Sequence, residues 1–221
     1  MKIAVSGTQC IGKSTFIADF IKKWPMYKIA GQDCSSIIKK QKLKHSQDSN
    51  EQTQDIILNH LVDLATEHSK EEYIIYDRCV LDNLAYTIWL HLKGKVDEKY
   101  VQKIVPIIQQ SLKLYDIIFF APITKMSPIN IEKKGNTRDI DPIFREEIDN
   151  IFNSFASSYY KGDRKLFPTE DCPALIEIFG KPEERIKVAG LYINENGNMF
   201  SEDESLISIP PEFNPDLREI I

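Results

Sequence analysis

The stretch Gly7-Thr8-Gln9-Cys10-Ile11-Gly12-Lys13-Ser14 constrains this chain more than any other. It fits G-x-x-x-x-G-K-[ST], a pattern that carries meaning only between a strand and a helix. Both flanks are present: Lys2 to Ser6 reads as a short apolar strand, and a helix follows to about Trp24, where Pro25 breaks it. Glycines allow the tight turn that converges backbone N–H groups on phosphate oxygens, and the helix aims its positive end at the same anion. In such a loop the lysine reaches the β- and γ-phosphates and the hydroxyl after it holds Mg²⁺. Gly7, Thr8, Gln9, Cys10, Ile11, Gly12, Lys13, Ser14 and Thr15 are therefore candidate ATP-binding residues, and Ser14 a candidate metal ligand. Cys10 reads either as a small filler or as a redox-sensitive thiol.

The rest of the chain alternates strand and helix. Weak strand character covers Tyr27 to Gly31. Asn50 can cap a long helix whose stripe is Ile57, Leu61, Leu64, Ala65 and His68. Strands are expected at Tyr73–Tyr76, Asp116–Ala121 and Ala174–Phe179, with helices at Leu81–Leu92, around Val101–Leu112 and at Lys181–Ala189. Asp141-Pro142 starts a further helix, a cap followed by proline at the first helical position. Strands joined by helices predict an α/β three-layer sandwich, a five-stranded parallel sheet with helices on both faces. Residues 190–221 are polar and proline-bearing and read as a surface tail.

Composition narrows the class. In 221 residues, 42% are hydrophobic and 28% charged, which suits a globular protein rather than a disordered one. The net charge of −5 disfavours an undifferentiated polyanion binder without excluding a local basic track. The longest apolar run, Ile117 to Ile123, falls well short of the ~20 residues that span a bilayer. Met1-Lys2 leads straight into a strand, without a secretory signal. Cys10, Cys34, Cys79 and Cys172 have neither CxxC nor zinc spacing, so we expect reduced thiols and a cytoplasmic location.

Asp77-Arg78 ends the strand Tyr73–Tyr76 at the edge where doubly wound sheets bind ligands. Asp77 there can join the Mg²⁺ shell or take a proton from an attacking hydroxyl, and Arg78 can neutralise a transferred phosphoryl group; a structural salt pair is the plainer reading. With the phosphate loop, this pair resembles the nucleoside and nucleotide kinase branch of P-loop proteins. It is most similar to the nicotinamide-riboside-kinase-like ATPase domain of bacteria and phages. Arg138-Asp139-Ile140-Asp141-Pro142, the strand Leu175 to Phe179, and Gly180-Lys181-Pro182-Glu183-Glu184-Arg185 fit the same family, so that the resemblance covers residues 1–189.

That resemblance implies a kinase domain over 1–189 with a lid at 124–145, ATP and Mg²⁺ as cofactors, and a fold that admits a homodimer. It makes Arg138 and Arg145 lid arginines acting on the phosphoryl group, although Arg145 can pair instead with Asp149 at i+4. The Gly180–Arg185 turn resembles the loop against the adenine ring, which makes Arg185 a candidate contact, or else it is a plain strand-to-helix turn. Many deoxynucleoside kinases carry a glutamate base after the second strand. Here the nearest acid, Asp33, sits late, leaving the base as Asp33 or Asp77.

The acceptor has three readings. Lys39, Lys40, Lys42, Lys44 and His45 form a basic cluster that is either a solvated face, a contact to an acceptor phosphate, or part of a nucleic-acid track. Tyr27, Tyr86, Trp89 and Phe144 can stack on a base or belong to the core. A kinase for a nucleoside or nucleotide fits the acidic balance. A kinase for hydroxymethyl-pyrimidine in DNA, as in similar phage proteins acting in the host cytoplasm, fits the basic cluster. A nucleotide-binding regulator with little or no ATP hydrolysis has no need of Asp77, Arg78 and a lid arginine.

Overall fold

The computed structural model describes residues 1–31, 34–44 (backbone alone at 34 and 35), 46–125, 141–163 and 165–200. Five parallel strands, β1 (Lys2–Ser6), β2 (Lys28–Ile29), β3 (Ile74–Asp77), β4 (Ile117–Phe120) and β5 (Ala174–Glu177), lie in the order β2-β3-β1-β4-β5. Seven helices accompany them among the described residues: α1 (Lys13–Lys23), α2 (Cys34–Lys40), α3 (Glu51–Glu67), α4 (Val80–Leu92), α5 (Glu98–Leu112), α6 (Pro142–Tyr160) and α7 (Pro182–Ala189). None of these is long and apolar enough to cross a membrane.

The period-2 alternation of β1, β3, β4 and β5 builds the three layers. Ala4, Ile74, Tyr76, Ile118, Phe120 and Leu175 face one core, against α3, α4, α5 and α6. Ile3, Val5, Ile75, Ile117, Phe119 and Ile176 face the other, against α1 and α7. In α1 the buried positions Phe16, Ile17 and Phe20 repeat at helical spacing, and Phe20 packs between Trp24, Tyr27 and Phe119. The sandwich agrees with the sequence expectation, as do both caps: the Asn50 side chain accepts from Thr53 N–H, and Asp141 from Ile143 and Phe144.

Three expectations need correction. β2 is shorter than anticipated, because Tyr27 leaves the strand to enter the core. Helix α2, within the lysine-rich stretch, has no clear apolar stripe and was not expected. Residues 190–200 are not a surface tail: Ile193 is buried and bridges Met199, Trp24 Nε1 donates to Asn194 O at 2.8 Å, and the Tyr27 hydroxyl donates to Gly197 O at 2.7 Å. Residues 201–221 lie outside the described residues.

Candidate active site

The loop between β1 and α1 is shaped by close approach. Gly7 has φ +139°, and a Cβ there would meet Ala121 O at 2.7 Å; Gly12 has φ +90°. Cys10, at φ +55°, takes a left-handed conformation that costs a non-glycine residue on the order of 1 kcal/mol. Four of the loop carbonyls turn toward cations. Lys13 Nζ donates to Gly7 O and Thr8 O, each at 2.8 Å, Arg145 Nε to Gln9 O at 3.0 Å, and Arg185 Nη1 to Ile11 O at 2.6 Å. A planar trans peptide points its N–H opposite its carbonyl. The N–H groups of Thr8, Gln9, Cys10 and Gly12 therefore face the other way, as in an anion-binding nest.

Lys13 is buried, and its pKa is lowered to about 7. Burial is the main cause and the Arg78 cation the next, with Asp82 and Asp77 opposing them. The loop thus holds a lysine whose charge is costly until an anion arrives.

β3 lies beside β1 with Asp77 in register with Val5, which brings its carboxylate over the loop. Ser14 Oγ donates to Asp77 Oδ2 at 2.8 Å. A hydroxyl and a carboxylate in contact, next to a phosphate nest, make a hard-oxygen donor set that suits Mg²⁺ held jointly with phosphate oxygens. The residues present thus fit both a nucleotide triphosphate and its magnesium.

Arg78 follows at φ +89°, another costly conformation, with its N–H bonded to Val5 O at 3.1 Å. Its guanidinium donates to Asp82 Oδ1 at 2.9 Å and lies 5.9 Å from the Tyr86 ring. Asp82 was missed at the sequence level, although its i+4 spacing from Arg78 was a visible signal.

Arg145, in the first turn of α6, does not form the anticipated pair with Asp149. That carboxylate accepts from Ile123 N–H and from Asn153 instead. Two further contacts seat the start of α6: Gln47 Nε2 donates to Asp141 at 2.8 Å, and Trp89 Nε1 donates to Glu147 at 2.7 Å. Arg185 is buried, and its Nε donates to Gly180 O. It supports the loop backbone from within rather than offering a free contact to a base. Asp33 and Arg138 lie outside the described residues.

On the acceptor side, Tyr27, Trp89 and Phe144 are core residues, and only Tyr86 among the four aromatics is half-exposed, beside Arg78. Between α3 and α4, buried Gln54 binds Ser49, Asn83 and Thr87, and the Asn83 Oδ1 has no partner among the described residues. Lys39, Lys40, Lys42 and Lys44 are exposed. Lys44 and Lys95 line an open cleft of about 690 Å³ with Leu43, Asp48, Ser49 and Asn50.

Comparison with known proteins supplies the wider context. A family model described as AAA domain matches residues 2–159. Among solved structures, a deoxyadenosine kinase from M. mycoides with products dCMP and a flexible dCDP bound aligns at TM-score 0.62 and 20% identity. The alignment covers 86% of this chain and 96% of that one. NadR protein in complex with NR aligns at TM-score 0.58 and 9% identity, over 86% of this chain and 50% of that chain. These likenesses show the P-loop kinase fold. No curated protein sequence matched.

Proposed function

Because this chain belongs to the AAA domain family, we propose that it uses its phosphate loop as an ATP-dependent phosphotransferase, moving the γ-phosphate to a hydroxyl of a nucleoside or nucleotide. The observation that carries the reading is the contact of Ser14 with Asp77 at 2.8 Å, above a loop whose carbonyls are held by Lys13, Arg145 and Arg185. A nucleotide-binding regulator would use the same pair for Mg²⁺, so it is Arg78 beside the pair that favours transfer over binding alone. The deoxyadenosine kinase neighbour supports the acceptor class.

In this reading the loop N–H groups and Lys13 bind the triphosphate, and Ser14 and Asp77 hold Mg²⁺, which when bound neutralises charge on the phosphates. The acceptor oxygen forms the new bond to the γ-phosphorus while the bond to the β–γ bridging oxygen breaks. ADP leaves, and the hydroxyl proton passes to a carboxylate, Asp77 or Asp33. Arg78, with Arg138 and Arg145 from the lid side, stabilises charge spread over the equatorial oxygens. The Gly180–Pro182 turn after β5 faces the base of ATP.

Asp77→Asn tests the assignment. It should lower turnover far more than it weakens ATP binding, since a metal-shell or base carboxylate acts mainly in the transition state. Collapse of ATP affinity with turnover at saturation unchanged would refute it. A labelled-phosphate screen over nucleosides, nucleotides, and plain and hydroxymethylated DNA identifies the acceptor. The exposed lysines beside the 690 Å³ cleft favour a second reading, hydroxymethyl-pyrimidine within DNA, which the same screen separates.

A further inference from the structure

Asp82 is the most completely engaged carboxylate near the loop. It is buried, with a side-chain exposure of 3%, while Arg78 beside it keeps 24%. Oδ1 accepts from Arg78 Nη1 at 2.9 Å. Oδ2 accepts from the Ser6 hydroxyl at 2.6 Å and from Cys79 N–H at 3.1 Å. Ser6 Oγ also lies 3.0 Å from Cys79 Sγ. Since the Ser6 proton points at Asp82, the thiol is the donor in that contact, and a chain of hydrogen bonds runs from Cys79 through Ser6 to the carboxylate.

These bonds tie three parts of the site together. Ser6 is the last residue of β1, directly before Gly7 of the loop. Cys79 and Asp82 are the cap and third residue of α4. Arg78 sits at the corner between β3 and α4 in its unfavourable φ +89° conformation. A guanidinium at such a corner has several rotamers within reach of solvent, and the fixed, buried carboxylate, with the Tyr86 ring beside it, selects one. Asp82 is buried and both its oxygens are engaged by the protein, unlike a carboxylate open to substrate.

We infer that Asp82 is a positioning residue: it holds the Arg78 guanidinium toward the phosphoryl group and fixes that arginine to the strand that launches the phosphate loop. The inference rests on the kinase reading above, in which Arg78 contacts the transferred group. Asp82 acts through Arg78 and touches no substrate.

A double-mutant cycle separates this role from helix capping. Asp82→Asn keeps an oxygen for Cys79 N–H and Ser6 but removes the charge that orients Arg78. Alone it should lower kcat by roughly 10- to 100-fold, the scale of a misplaced catalytic group, with ATP Kd within about threefold of wild type. In an Arg78→Ala background the same change should alter kcat by less than about threefold, because the group it positions is gone. Equal losses in both backgrounds overturn the inference and leave Asp82 a cap for α4, while the kinase reading stands. An Arg78→Ala protein with wild-type transfer, or a wild-type chain that transfers to no acceptor, overturns both. If Asp82→Asn does not fold, Ser6→Ala replaces it in the cycle. That change removes the 2.6 Å anchor on Oδ2 and should give a smaller kcat loss, again absent when Arg78 is alanine.

Discussion

Arg145 is bound to the phosphate loop in both directions, to Thr8 through its carbonyl and to Gln9 through its guanidinium. While Arg145 Nε grips the carbonyl of Gln9, the Thr8 hydroxyl donates to the Arg145 carbonyl at 3.2 Å. The first turn of α6 is thus clasped to the phosphate loop at two successive residues. Two more contacts, Gln47 with the Asp141 cap and Trp89 with Glu147 in the second turn, hold the start of the helix against the loop before α3 and against α4. The arginine expected of a lid is, in this arrangement, also a strut for the nest.

Arg145→Ala should therefore weaken ATP binding as well as slow transfer. Loss of a hydrogen bond to a charged donor costs the loop about 1.5–3 kcal/mol, so ATP Kd should rise, by at most about 10- to 150-fold. Calorimetric titration measures it. A fall in kcat at unchanged ATP affinity would mean that Arg145 meets only the transition state.

ATP binding should take up protons near neutral pH. In the nucleotide-free protein burial lowers Lys13 to about 7, and a bound triphosphate supplies the negative charge that restores its ordinary, higher value. The sign follows: at pH 8 the free protein has mostly lost this proton and the complex has regained it. Uptake by Lys13 should therefore be larger at pH 8 than at pH 6. Titrations in metal-free buffers of different ionisation enthalpy read the number, and Lys13→Met should abolish it. No buffer dependence at pH 8 would place the Lys13 charge elsewhere.

What was legible at the sequence level was local. The phosphate loop, the Asn50 and Asp141 caps and the acid at the end of β3 depend on residues a few positions apart, and each stands where expected. What escaped was tertiary. Arg185 looks like any helix-face arginine until its bond to Ile11, 174 residues away, is seen. Asp82 shows its i+4 relation to Arg78 in the sequence, but not its bond to Ser6. The polar run 194–198 reads as tail, because the backbone carbonyls that receive Trp24 and Tyr27 have no sequence signature.

Arg185→Met should destabilise the fold more than a surface arginine would. It keeps the buried aliphatic stem but takes from Ile11 O its charged donor, at about 1–3 kcal/mol. Thermal unfolding should begin roughly 2–12 °C lower, taking the ~2–4 °C per kcal/mol expected at this chain length. An unchanged midpoint with weakened ATP binding would instead favour direct contact of Arg185 with the nucleotide.

Replacing Lys39, Lys40, Lys42 and Lys44 together by Gln should discriminate the acceptor classes. All four are exposed, on the last turn of α2 and the residues after it, next to the cleft that Lys44 shares with Lys95. A polymer acceptor contacted by lysines releases counterions, so log affinity falls with log salt at a slope of roughly −0.9 per contact on duplex and −0.7 on single strands. If the acceptor is DNA gripped here, the quadruple variant should bind it more weakly and flatten that slope by about two to four units. ATP affinity should stay near normal, because none of the four touches the phosphate loop. A free nucleoside should show little change in KM, having no charge for the ammonium groups to meet. A nucleotide should lose at most one or two charge-assisted contacts. Salt dependence on DNA that survives the replacement would return these lysines to an ordinary solvated face.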